Sequence, residues 1–278
     1  MTRVGPPVAV CCLPGTRRIK IPYLTLSGKG LFYAAHPSRR PNSLPIVFIH
    51  GAGGNHLTWP APLRRFAPAA STYLPDLPGH GRSDRIGRLT IDDYAENIQA
   101  FCQALELTRP VLVGHSMGGA IALSLALRHP GLLCKLVLIN SAARFNIPAP
   151  ILAELGTDPA QAVERINHLA FSPQAPLPLI EASRQMMLSL PPDVLRADYE
   201  ACGSFDLVTH LPEIRVPALI IGAETDLLTP PDDARLLADH LPNARLIILP
   251  QAGHMAPLIE TQAICDAMLA YLEPDLPH

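Results

Sequence analysis

Apolar positions along this chain fall into two patterns. Short, nearly continuous apolar runs alternate with longer stretches that are apolar on one face only, the marks of buried strands and amphipathic helices. Residues 22–26 and 31–35, joined by Ser27-Gly28-Lys29-Gly30, predict an opening hairpin. Further strands are predicted over 45–50, 71–74, 110–113, 135–139, 216–221 and 245–249. Helices are predicted over 58–66, 90–105, 118–127, 232–241 and 257–272. The helix over 90–105 is the best marked, with Ile91, Tyr94, Ile98, Phe101 and Leu105 on one face and Thr90 as its N-cap. Strand and helix in alternation predict an α/β fold, a mostly parallel central sheet flanked by helices.

Between 142 and 212 the pattern changes. Prolines crowd together and the apolar runs lose their strand character, which predicts an inserted helical cap. Asp158-Pro159-Ala160-Gln161 is a helix start, with a capping side chain and proline at the first helical position. Further cap helices are predicted over 177–188 and 192–202, the latter stopped by Gly203. The organisation expected is an N-terminal extension (1–20), a core made of 21–141 and 213–278, and a helical cap (142–212).

Composition narrows the function classes. Hydrophobic residues make up 48% of the 278 and charged residues only 17%, so the chain has enough apolar surface for a large core. A formal net charge of −2 gives no electrostatic reason to expect nucleic acid or an anionic membrane as partner. Cys11, Cys12, Cys102, Cys134, Cys202 and Cys265 contain no C-x-x-C pair or zinc-like spacing, which favours a reducing compartment. The apolar run 8–13 is shorter than a signal-peptide core, and no run approaches a membrane span. A cytoplasmic protein is expected, with monomer and homodimer both open.

The candidate chemistry centres on VLVGHSMGGAIA, residues 111–122. Gly114-His115-Ser116-Met117-Gly118 fits G-x-S-x-G between a β-branched apolar run and a small-residue helix, a nucleophile elbow that presents Ser116 on a tight turn. Larger side chains at Gly114 and Gly118 are expected to collide there. Asp226 follows one late strand and His254 follows the last. Parallel strands put their carboxyl ends at one edge of the sheet, so Ser116, Asp226 and His254 are expected to meet there. Glu224, Asp232 and Asp233 are local rivals for the acid, the latter two in a first helical turn that favours acidic side chains anyway.

From about Pro22 to Leu272 the sequence resembles α/β-hydrolase fold proteins. The resemblance is carried by HGAGGNHLTW, DLPGHGRSD, GHSMGG, GAETDLLTP and QAGHMAP, and by the chain order Ser, Asp, His. The elbow is also similar to that of monoacylglycerol lipases and small carboxylesterases. This resemblance implies oxyanion-hole N–H groups at Ala52 and Met117, with Ser116 as nucleophile, Asp226 as acid and His254 as base. Serine at the nucleophile position argues against epoxide hydrolase or dehalogenase activity, and Asn140 occupies the place where some relatives carry the acid. The implied activity is hydrolysis of a small acyl ester without metal or cofactor. Carbon–carbon bond, enol-lactone and perhydrolase chemistry use the same three residues, and a slow-turnover ligand sensor of this fold is the alternative of another class. His50 is expected to prop the oxyanion loop, and His80 and His115 to be structural. Asp76 and Asp84 are expected to bond their own loop, Trp59 to pack in the core, and Met186, Met187 and Phe171 to be either simply buried, the commoner case in an amphipathic helix, or candidates for an acyl pocket.

Overall fold

The computed structural model describes residues 23–276 except 27, 41, 65 and 67–69. The expected N-terminal extension, Cys11, Cys12, and the hairpin positions Pro22 and Ser27 lie outside the described residues. Among the described residues the strands are β1 (Tyr23–Leu26), β2 (Lys29–His36), β3 (Leu44–Ile49), β4 (Ala70–Pro75), β5 (Val111–His115), β6 (Lys135–Ile139), β7 (Ala218–Ala223) and β8 (Ala244–Leu249). They form one sheet in the order β1-β2-β4-β3-β5-β6-β7-β8. The hairpin and its join to β4 are antiparallel, and every other pairing is parallel. Strands β3 to β8 therefore all end at one edge.

The helices are α1 (Ala61–Arg64), α2 (Ile91–Ala104), α3 (Met117–Arg128), α4 (Ala149–Thr157), α5 (Pro159–Ala170), α6 (Leu177–Leu188), α7 (Pro192–Ser204), α8 (Pro231–His240), α9 (Ala256–Ile259) and α10 (Thr261–Leu272). Alternation along the strands divides the core into two layers, since successive side chains point to opposite faces. In β6, Leu136 and Leu138 pack with residues of α2, α3 and α8, while Val137 and Ile139 pack with residues of α1 and α10. Sheet residues buried on both faces explain why the central strands read as unbroken apolar runs.

Where elements differ from expectation, local chemistry accounts for most of the difference. The helix predicted over 58–66 is a 3-10 turn at His56–Thr58 followed by the short α1. Trp59 stays extended between them because it precedes Pro60, and a residue before proline is pushed out of the helical region. β7 starts at Ala218 and not at Val216, since Pro217 has no N–H for the ladder. The predicted closing helix is divided at Glu260 into α9 and α10. Thr90 caps α2 as expected, accepting from the Asp93 N–H at 3.1 Å.

Residues 142–212 hold α4 to α7. α4 has no counterpart in the sequence reading: Pro148 precedes it without a capping side chain, and it ends directly at Asp158, which also caps α5. Gly203 does not stop α7, which ends at Ser204 where Phe205 turns extended. The two ends of this helical segment between β6 and β7 are pinned together by the Arg144–Asp206 bridge and by the Leu207 N–H donating to Ala143 O at 2.9 Å.

The turn from β5 into α3 is fixed by close backbone packing. A Cβ on Gly114 would strike the Gly118 carbonyl across the elbow, as expected, whereas one on Gly118 would strike the carbonyls of Ile49 and His50 at the end of β3. The second glycine thus seats the elbow against the neighbouring strand. Backbone cannot swing aside as a side chain can, so Gly118→Ala should cost about 3 kcal/mol and lower Tm by roughly 6 °C or more. Gly156→Ala, on the exposed side of α4 with only the Arg196 guanidinium nearby at 3.6 Å, should be neutral or slightly stabilising. Thermal unfolding of the two variants checks the contrast; equal Tm values would refute it.

Candidate active site

Ser116 sits between β5 and α3 with φ 53° and ψ −121°. Left-handed backbone is uncommon for a residue with a side chain and costs about 1–3 kcal/mol, so the surroundings must impose it. They do so through the Ser116 N–H, which donates to Ile139 O at 3.0 Å, and the Ser116 carbonyl, which accepts from Ser141 Oγ at 2.8 Å. The half-buried serine faces the same cavity as His254.

Asp226 and His254 are in direct contact. His254 Nδ1 donates to Asp226 Oδ2 at 2.8 Å, with both side chains almost wholly buried. The same carboxylate accepts from Asn140 Nδ2 at 2.6 Å, Thr229 Oγ1 at 2.7 Å, and the N–H groups of Leu228 and Thr229 at 2.8 and 2.9 Å. Burial by itself would raise the Asp226 pKa, but His254 and these donors outweigh it and hold the carboxyl down to about 2. Sequence reasoning noticed Asn140 only as a place where an acid was missing. It is a donor to Asp226, and its position directly after β6 was the available signal. Thr229 was missed; a threonine three residues after the acid is not distinctive.

The rival carboxylates point elsewhere. Glu224 is exposed and accepts from the Gln251 N–H at 2.9 Å, and Asp232 pairs with Arg235 at the exposed start of α8. Asp233 is raised to about 6, first by burial and then by the charges of Asp226 and Asp232. None of the three has a hydrogen bond to His254.

On the other side of Ser116, the loop after β3 carries Gly51, Ala52, Gly53 and Gly54 along the cavity wall. His50 is fully buried, with its Nε2 accepting from the Leu77 N–H at 3.0 Å and its Nδ1 donating to Gly51 O at 2.9 Å. One donor and one acceptor fit a neutral ring, and burial, with His80 nearby, pushes its pKa down to about 4. Gly51 O also accepts from the Gly54 N–H at 3.1 Å, closing the turn that contains Ala52. Met117 is the first residue of α3, so its N–H has no acceptor within the helix.

His115 donates from Nε2 to the His254 carbonyl at 2.9 Å, and burial followed by the neighbouring His254 pushes its pKa down to about 3. It therefore stays neutral and ties the histidine loop to the elbow. Asp76 bonds its own loop through the Arg82 N–H, and also receives the His56 N–H and Nδ1. Asp84 departs from expectation, since its side chain receives the Gly30 N–H of the opening hairpin. Trp59 packs edge-on against Phe48 in the core.

The cavity has about 670 Å³ of empty space, its open mouth included. Met186 and Met187 line it with Phe145, Ile147, Ile166 and Tyr199, all from the segment between β6 and β7. Phe171 does not; it packs with Ala170, Ala175 and Met255 beside the cavity. Among the described residues no lysine, arginine, aspartate or glutamate lines the wall. Among the described residues no cluster of His, Cys, Asp and Glu is arranged to hold a metal ion, and no helix is long and apolar enough to cross a membrane.

Comparison with known proteins agrees with this architecture. The description of the alpha/beta hydrolase family matches residues 46–267. A protein of Caulobacter sp. (strain K31) named as the carbamate hydrolase RutD is 30% identical, over 87% of this chain and 96% of its own. The pimeloyl-[acyl-carrier protein] methyl ester esterase of Vibrio atlanticus (strain LGP32) is 27% identical, over 82% of this chain and 94% of its own. Among solved structures, a thermophilic esterase superposes with a TM-score of 0.79 at 30% identity, covering 91% of this chain and 96% of the other.

The depressed Asp226 has a consequence for stability. Its folded pKa, about 2, lies below the ordinary 3.8, so the stabilisation is fully present above the unfolded value and is lost as pH falls through the folded one. The shift is worth about 2 kcal/mol. The difference in stability between wild type and Asp226→Asn should be constant above about pH 5 and shrink by about that amount toward pH 2. Denaturant titrations of both proteins across this range measure it, and a pH-independent difference would contradict the assignment.

Proposed function

The chain belongs to the alpha/beta hydrolase family, and from that premise we propose that it hydrolyses small carboxylic esters through an acyl-enzyme on Ser116. The observation that carries the reading is the His254–Asp226 bond at 2.8 Å, in a cavity that His254 shares with Ser116. Asp226 holds the proton on Nδ1, so Nε2 is the nitrogen that accepts the Ser116 proton as Oγ attacks the ester carbonyl. The imidazolium formed is stabilised by a carboxylate that stays ionised. Oxyanion charge is received by the N–H groups of Ala52 and Met117, which flank Ser116 from the β3 loop and the start of α3. The tetrahedral intermediate collapses as His254 returns its proton to the departing alcohol. Water, deprotonated by the same nitrogen, then releases the acid.

α4 to α7 act as a cap over this centre, and the composition of the wall states a preference. A charged acyl tail would lose hydration and meet no counter-charge, so the fitting acyl group is uncharged and apolar. The names of the relatives cover both carbamate and methyl ester hydrolysis. Neither nucleic acid nor a membrane takes part in this reading, and it needs no cofactor.

A fluorophosphonate probe should form one adduct, on Ser116, located by peptide mass spectrometry; an adduct elsewhere on folded protein removes the nucleophile. Turnover should be steady and multiple on p-nitrophenyl esters of short to medium acyl chains, with much weaker activity on the matching half-esters of dicarboxylic acids. Strong activation on triglyceride droplets, or a single slow turnover, would redirect the reading to a lipase or a sensor.

Asp226→Asn should lower kcat on the order of 10⁴-fold, whereas Glu224→Gln, Asp232→Asn and Asp233→Asn should stay within about tenfold of wild type. Steady-state kinetics on one activated ester, with folding checked by circular dichroism, decides among the four.

A further inference from the structure

Asp198, in α7, is completely buried and belongs to none of the groups assigned above. Its Oδ2 accepts from the Gly53 N–H at 3.1 Å and from His80 Nε2 at 2.7 Å, and its Oδ1 accepts from Tyr94 OH at 2.7 Å. A carboxylate of the insertion thus reaches across to three groups of the core: the loop after β3, the loop after β4, and α2.

The charge state of this cluster follows from its hydrogen bonds. His80 Nδ1 faces the Pro78 carbonyl at 3.1 Å while Nε2 faces Asp198. Both partners are acceptors, so both ring nitrogens must carry protons and His80 is an imidazolium. Burial opposes that charge, but the neighbouring Asp198 outweighs it and raises the His80 pKa. The adjacent His50 ring, 5.0 Å away between centroids, has one donor and one acceptor partner and stays neutral. Buried ion pairs are costly to desolvate, and their best-attested use is to specify one arrangement over others. What Asp198 specifies here is a peptide orientation. The peptide before Ala52 is held at Gly51 O by His50 and Gly54; the peptide after it is held at the Gly53 N–H by Asp198 alone.

We propose that Asp198 is a positioning residue that, from the insertion, fixes the loop carrying Ala52 through the Gly53 N–H, with His80 and Tyr94 holding its carboxylate in place. Docking of α7 on the core and alignment of the Ala52 N–H are then one event. The effect on catalysis rests on the proposed oxyanion role of Ala52; the structural tie does not.

The test compares full-length wild type, Asp198→Asn and Tyr94→Phe. In Asp198→Asn, hydrogen exchange at Gly53 and Gly54 should quicken at least about tenfold, kcat on a p-nitrophenyl ester should fall about tenfold to a hundredfold, and inhibition by an alkyl trifluoromethyl ketone should weaken in parallel. KM should stay within about twofold, because the ground-state carbonyl leans little on the oxyanion donors. Tyr94→Phe removes the Oδ1 donor and the acceptor of the Arg88 N–H but leaves both bonds to Oδ2, so it should lower Tm and reduce kcat by clearly less than Asp198→Asn does. Unchanged exchange at Gly53 in Asp198→Asn overturns the tie. A loss confined to KM or Tm, with kcat intact, overturns the positioning role and leaves Asp198 a cap fastener. If Asp198→Asn does not fold, His80→Gln, which keeps a donor but removes the charge, should show the same pattern at smaller size, and normal exchange and kcat in that variant count against the proposal. Absence of a Ser116 phosphonate adduct in wild type would sink the esterase reading separately, with the exchange measurement still deciding the tie.

Discussion

One buried carboxylate holds the far ends of three strands together. Asp226 receives Asn140 from the end of β6, Thr229 and Leu228 from its own loop after β7, and His254 from the loop after β8. A charge removed from water is tolerable only when its lone pairs are met, and here at least five donors meet them. The arrangement makes two demands satisfy one another. The donors that offset the burial of Asp226 also keep it ionised, and an ionised Asp226 is what gives His254 a defined tautomer and orientation.

A second buried polar layer lies on the other flank of Ser116. Asp76 gathers the His56 ring and two main-chain N–H groups, and Asp198 gathers His80, Tyr94 and Gly53. Between them His50 bridges the loops after β3 and β4. Loops at the end of a parallel sheet have no ladder partners for their backbone groups, and these buried side chains supply them. The histidine-rich and aspartate-rich motifs of the chain are explained chiefly by that need. Among the described residues, His254 is the buried histidine that both lines the cavity beside Ser116 and bonds Asp226.

The elbow links the two flanks. With Gly114 under the Gly118 carbonyl and Gly118 against the end of β3, the serine backbone has no room to relax from its left-handed conformation. His115 adds a tie from the elbow to the histidine loop, so Ser116 and His254 are held to the same rigid turn.

The sequence by itself determined the sheet and the turn that carries Ser116. The unbroken apolar run of β6, the Thr90 cap, and the strand-turn-helix around Ser116 are consequences of local pattern and local sterics, and they read correctly from neighbours in the chain. Local rules also carried the answers that were misread, as at Trp59 before Pro60. Other features were decided only by the tertiary structure. Nothing near Asp198 in the chain announces that it meets Gly53, His80 and Tyr94, and Phe171 and Met187 look alike in sequence although only the methionine lines the cavity. The physical reason is that a hydrogen bond or an apolar contact acts over a few ångströms of space whatever the distance along the chain. Only folding brings such partners close enough for desolvation to choose among them.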